Sequence, residues 1–249
     1  MSWQQEYLDR YYDRSKGWVD GTTEFHNLCA SVIPPGSAIL EIGAGPTNET
    51  STFLSSLGSV HGLDVDPDVK NNNALTASHV LAGDEYPFPA DTFDACVSNY
   101  VNEHIADPQR HLEEVYRVLK PGGVYVFRTP NRFHYTSIVS GLTPHWFHNL
   151  VANRARNLPP GSHDPYPTHY LLNSRTKIDR YAVEFGFAID EFRLIEPEPS
   201  YGMISPLLFF PFLAYERMVN KFEPLAVFRA NILAVLRKRS SGKSETYGR

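Results

Sequence analysis

Leu40-Glu41-Ile42-Gly43-Ala44-Gly45-Pro46-Thr47-Asn48 decides how the rest of the chain is read. An apolar, strand-like run over 38–42 leads into two glycines, and helix-compatible sequence follows. That is the pattern of a strand-to-helix turn whose backbone passes close to a nucleotide. A nicotinamide fingerprint carries a third glycine three residues after the second and lays a pyrophosphate on the helix N-terminus. Here that position is Asn48. Glu41 also sets a carboxylate at the end of the strand, where it repels a phosphate and attracts a cationic, amine-bearing cofactor.

Working outward, strand-like and helix-like patterns alternate, which predicts a parallel sheet with helices on both faces. The first strand covers 37–42, its helix 51–57, and a short second strand 60–63 ends at Asp64. That carboxylate lies about 20 residues past the turn, the offset at which it accepts hydrogen bonds from ribose hydroxyls. A third strand over 79–82 leads into Gly83-Asp84-Glu85, and 93–98 forms a fourth. Asp107-Pro108 starts a helix with Leu112, Val115, Val118 and Leu119 at helical spacing, stopped by Pro121-Gly122-Gly123. The fifth strand is 124–127, a helix over 175–185 ends at Gly186, and strands follow at 187–195 and 231–236. Between 129 and 174 aromatics, histidines and prolines replace the pattern, over a length that marks a functional loop and not a connector.

With 249 residues and 42% hydrophobic content, the chain is expected to fold as one domain. Its net charge of -5 gives no general attraction to nucleic acid, which is not expected as a partner. Cys29 and Cys96 lack CxxC spacing, and no histidine pair has a matched carboxylate, so neither a disulfide framework nor a metal site is expected. The first 18 residues lack the apolar core of a signal peptide, which predicts a cytoplasmic location. The run 206–215 is dense in large apolar residues but too short to span a bilayer, and Pro211 interrupts it. Lid, peripheral membrane contact and buried helix are its three readings; the sequence leaves the oligomeric state open.

The ordered set Glu41-Ile42-Gly43-Ala44-Gly45, Gly62-Leu63-Asp64, the segment 83–88, the segment 93–98, Asn102-Glu103-His104-Ile105 and Leu119-Lys120-Pro121-Gly122-Gly123 resembles the class I S-adenosylmethionine-dependent methyltransferases, particularly the small-molecule enzymes. The likeness spans roughly residues 39–187. It implies a Rossmann-like, doubly wound, seven-stranded sheet with a reversed last strand. It also implies one methyltransferase domain over 1–236, with an N-terminal cap at 1–30, inserts at 130–174 and 197–230, and a disordered tail from 237 to 249. The resemblance places the methionine part of S-adenosylmethionine along Glu41, Gly43, Ala44 and Gly45. Asp64 falls on the ribose, Val65 beside the adenine, Asp84 with its neighbour Glu85 at the adenine amine, and Ser98 and Asn99 beside the methyl donor. S-adenosylhomocysteine is the implied product. Pro46-Thr47 departs from the small residues many relatives carry after the second glycine.

Methyl transfer from a sulfonium is an in-line displacement, so the protein must chiefly position the acceptor and exclude water. A hydroxyl acceptor benefits from a general base, most often histidine. His134 and His104 are the candidates for that role. Arg132, His134 and Tyr135, directly after the fifth strand, are expected to touch the acceptor, followed by His145, His148, His169 and Tyr170. In the leader, Tyr11, Lys16 and Trp18 either cap the pocket or belong to a helix anchored outside the sheet by Leu8 and Tyr12. The expected reaction is methylation of a small-molecule hydroxyl. A lipid-linked or glycan acceptor at a membrane surface, a non-catalytic cofactor-binding module and a nicotinamide oxidoreductase are the competing readings.

Overall fold

The computed structural model describes residues 3–142 and 166–240. Seven strands form one sheet: β1 (Ser37–Ile42), β2 (Gly58–Asp64), β3 (Ala77–Val80), β4 (Phe93–Asn99), β5 (Leu119–Pro130), β6 (Phe187–Ile195) and β7 (Asn231–Lys238). Their order is β3-β2-β1-β4-β5-β7-β6. The first five run parallel, and β7 enters antiparallel between β5 and β6. This is the doubly wound sheet with a reversed last strand that the sequence implies.

Helices α1 (Trp3–Tyr11), α2 (Gly21–Val32), α3 (Glu49–Leu57), α4 (Pro108–Val118), α5 (Tyr135–Leu142), α6 (Arg175–Phe185) and α7 (Pro206–Lys221) surround it. Because a parallel sheet is covered on both sides, its strands are apolar on both faces. Ile39, Val97 and Val126 pack one face under Phe25 and Leu28 of α2 and Leu54 of α3. Leu40, Cys96 and Tyr125 pack the other under Leu112 and Val115 of α4 and Ile178 of α6. Local chemistry sets the helix ends. The Asp107 side chain accepts from the amides of Gln109 and Arg110 before Pro108 at the first helical position, and Gly186 closes α6 at φ 79°.

Several boundaries differ from expectation: β3 lies at 77–80 and not 79–82, and Leu119, expected in the preceding helix, opens a β5 that runs to Pro130. β7 runs to Lys238, so the first two residues assigned to the tail are strand: Arg237 pairs with Asp190, and the Lys238 ammonium reaches Asp91 and the carbonyls of Tyr116 and Leu119. Basic composition suggested a solvated tail, but long side chains can carry their charge to a partner while the backbone stays in the ladder. Helix α7 also continues through Pro211 instead of breaking there. The carbonyl left without a donor is that of Leu207, a residue 86% exposed, so water can take its place.

Candidate active site

Beyond the C-terminal ends of β1 and β4, where connections leave in opposite directions, an open cleft of about 300 Å³ is lined by Thr22, Glu41, Gly43, Asn48, Glu49, Thr50 and Asn99. Such switch points are where open α/β sheets take ligands. The turn that forms its floor needs its glycines. Gly43 sits at φ 71°, and a Cβ there would fall 2.3 Å from Cγ2 of Val101. Gly45, at φ 54°, donates its amide to Asp64 Oδ2 at 2.8 Å. Asn48 explains the missing third glycine: its Oδ1 accepts from the Ser51 amide at 3.0 Å as the cap of α3, and its Nδ2 donates back to the Ala44 carbonyl at 2.7 Å. Asn72, which the sequence did not single out, donates to the turn carbonyls of Ala44, Gly45 and Pro46 and to Ser51 Oγ.

Glu41 is 3% exposed, and burial pushes its carboxyl up to about 7, against a lowering hydrogen bond from Ser51 and with a further rise from Asp64. Its Oε2 has no hydrogen-bond partner among the described residues. A buried carboxylate on a cleft wall with an unoccupied oxygen suits a cationic ligand group. Asp64 accepts from the Asp66 amide as well as from Gly45, at 2.8 Å each, and a carboxylate retains lone pairs beyond these two. Val65 is exposed beside it, and Asp84 and Glu85 are exposed in the loop after β3. Ala44 is buried under the turn.

Ser98 and Asn99 divide between the faces. The Ser98 hydroxyl lies 2.8 Å from the Tyr125 hydroxyl, inside a buried network with Asn102, His111 and Tyr86. Its backbone alone remains for the cleft. Asn99 lines the cleft and donates to Thr50 Oγ1 at 3.0 Å.

The leader packs elsewhere. Tyr11 packs tilted against Phe209 and edge-on to Phe210 of α7, and Trp18 donates its indole N–H to the Pro197 carbonyl at 3.0 Å. Neither lines the cleft: Tyr11 is held by the aromatic surface of α7, and Trp18 packs against Tyr12. Tyr12, 3% exposed with its hydroxyl on Glu216, is the anchor.

The two candidate bases, His134 after β5 and His104 after β4, have opposite surroundings. His134 is buried: Nδ1 accepts from Thr136 at the start of α5, and Nε2 stands 3.4 Å from Glu196 Oε2. Its ring lies against Tyr135 and Tyr215. Nε2 makes no hydrogen bond among the described residues; it is buried beside Glu196, and His134 is not among the residues that line the cleft. His104 instead points Nδ1 at the Pro167 carbonyl, 3.0 Å away, so the hydrogen sits there and Nε2 is the basic nitrogen, 4.0 Å from Glu103 Oε1. The amides of His169 and Tyr170 both donate to the Glu103 carbonyl, and the Tyr166 hydroxyl reaches Asp66. The segment 166–170 thus straps the loop after β4 to the loop after β2. Arg132 is exposed with its guanidinium over Phe133, and Tyr135 packs on Phe212. His145 and His148 lie outside the described residues. Within those residues no helix is long and apolar enough to cross a membrane.

A sheet of this order, with its cleft at the β1–β4 switch point, defines the class I methyltransferase fold. Residues 40–127 match the family model described as a methyltransferase domain. An uncharacterized methyltransferase of Mycolicibacterium vanbaalenii is 35% identical over 99 residues, covering 36% of this chain and 38% of that protein. The demethylmenaquinone methyltransferase of Tropheryma whipplei is 30% identical over 110 residues, covering 41% and 46%. Among solved structures, an S-adenosylmethionine-dependent methyltransferase from Mesorhizobium loti superposes with a TM-score of 0.55 at 18% identity, over 87% of this chain and 98% of that one. The chain spans from 38% to 52% of the length of the first curated relatives it matches. Residues 40–127 thus match a methyltransferase domain within a sheet of the class I methyltransferase fold, and that family and fold imply use of S-adenosylmethionine.

Proposed function

We propose that the protein transfers a methyl group from S-adenosylmethionine to a hydroxyl of a small-molecule acceptor. The observation that carries this reading is Glu41, a buried carboxylate on the wall of the cleft, beside a turn in which Gly43 leaves no room for a Cβ. When bound, the cofactor supplies an electrophilic methyl on a sulfonium. Glu41 and the turn over 43–45 would hold its amino-acid end, and Asp64 its ribose. The strap over 166–170 limits water at the acceptor side. His104 is the better placed base: Pro167 fixes its tautomer, Nε2 receives the acceptor proton, and Glu103 stabilises the resulting imidazolium. A similar protein named a demethylmenaquinone methyltransferase supports a small-molecule acceptor.

Titration calorimetry with S-adenosylmethionine tests the first step, with binding expected in the micromolar range or tighter; no heat at high micromolar concentration sinks the reading. Labelled methyl donor with a metabolite extract tests the second, and the absence of any labelled product leaves only a binding module. A second reading, an acceptor held at a membrane surface, is favoured by Leu207 and Phe210, 86% and 48% exposed on the outer side of α7. Sedimentation with liposomes decides it.

A further inference from the structure

Two basic side chains of the described residues are buried, and they are treated differently. Lys238 has Asp91 for a counter-ion. Arg128, 4% exposed near the end of β5, forms no ion pair with any described carboxylate. Its Nε donates to Asn99 Oδ1 at 2.8 Å and its Nη2 to Thr22 Oγ1 at 3.2 Å, both neutral. Burying a guanidinium without an anion is costly, and such a charge persists where a ligand completes it.

The surroundings are built for this side chain. Tyr100 lies 4.5 Å above the guanidinium and Phe25 5.5 Å from it. Tyr100 holds φ 58°, a conformation that costs a bulky residue free energy, and its hydroxyl is fixed on Asn231. Gly21 begins α2 against the same group: a Cβ there would fall 3.3 Å from Nη1. Nη1 itself donates to no described residue. Thr22 and Asn99, the two partners of Arg128, both line the cleft.

Register places Arg128 beside Asn99 on the face that Glu41 shares. One strand, β4, separates β1 from β5, and Arg128 stands two residues beyond the level of Glu41, so the two backbone positions lie about 12 Å apart. An α-amino acid group fits between them, its amine toward the carboxylate and its carboxylate toward the guanidinium.

We infer that Arg128 receives the α-carboxylate of the methyl donor, opposite Glu41. This rests on the methyl-donor reading above. Calorimetry with S-adenosylmethionine and with its decarboxylated analogue, on wild type, Arg128→Gln and Arg128→Lys, tests it. Wild type is expected to prefer the carboxylated ligand by about 10- to 100-fold, the scale of a charge-assisted contact. Arg128→Gln, which keeps a donor for Asn99, erases that preference by weakening the carboxylated ligand alone, and Arg128→Lys retains part of it. Equal affinity of wild type for the two ligands overturns the inference even if no variant folds. Equal losses on both ligands in a folded Arg128→Gln also overturn it. If wild type binds neither ligand, the donor reading itself falls.

Discussion

The two halves of the sheet's C-terminal edge are built by opposite means. Over β1 and β4 the backbone makes the site: glycines at positive φ, amides turned onto Asp64, and one carboxylate left with an open oxygen. Over β5 and β7 side chains make it: His134 Nε2 lies 3.4 Å from Glu196 Oε2, and Tyr215 of α7 packs against the imidazole with its hydroxyl on the Phe228 carbonyl. The first half is an open cleft with a carboxylate oxygen on its wall, the second a buried imidazole and carboxylate whose facing atoms, His134 Nε2 and Glu196 Oε2, make no hydrogen bond among the described residues. A family can keep its donor and change its acceptor when the two duties are separated in this way.

The contrast can be broken most severely at Gly43. Gly43→Ala adds a clash with the stiff Val101 side chain to an unfavourable φ, so unfolding in urea should show a loss of about 3 kcal/mol, with partial recovery on adding Val101→Ala. Glu41→Gln should weaken S-adenosylmethionine by about 100-fold while leaving the fold intact; unchanged affinity in calorimetry would mean that the carboxylate does not meet the amine. On the other half, His134→Ala strands Glu196 in the interior and should cost about 2 kcal/mol of stability, yet leave donor affinity at the wild-type value. A His134→Ala protein of full stability would show that the imidazole does not offset the burial of Glu196.

Smaller effects sharpen the same contrast. The Glu41 carboxyl, raised to about 7 from an ordinary 4.5, is largely protonated at pH 6. Donor affinity should therefore rise about tenfold from pH 6 to pH 8, and Glu41→Gln should flatten the profile. The sign for stability is reversed: a raised carboxyl favours folding of the unliganded protein below 4.5, and that contribution is lost as pH climbs through 7. Smallest of all, Leu207→Ser on the exposed stripe of α7 should change stability by no more than about 0.5 kcal/mol. A larger loss by thermal denaturation would mean that Leu207 is covered.

The sequence was most readable where backbone chemistry dictates residue type. The span of β1, both ends of α6 and the whole of β6 follow from apolar runs punctuated by Pro, Gly and Asp, whose dihedral preferences are local. The donor turn belongs with them, because only glycine fits it and Asn48 signals a cap. The strand status of Arg237 and Lys238 was hidden, since it depends on Asp190 and Asp91, far away in the chain. Arg128 and Asn72 were hidden for the same reason. Arg128 becomes notable only when its partners prove neutral, and Asn72 only when three turn carbonyls converge on it. His134 drew attention by its place after β5, but sequence cannot show that its ring is buried against Glu196 and Tyr215. Proximity in the chain located the edge and not the direction in which a ring points.

The reversed strand also dictates a timetable. β6 meets no strand but β7, and β7 pairs with β5 across more than a hundred residues, with Val124 opposite Arg237. Contacts of such separation form late because loop closure must precede them. During synthesis the five parallel strands can assemble around the donor turn while β5 still shows a bare edge and β6 has nowhere to dock. Until residues 231–238 have left the ribosome, that edge is a template for pairing with another chain. The segment that completes the sheet is thus also the one whose delay exposes the nascent protein to aggregation.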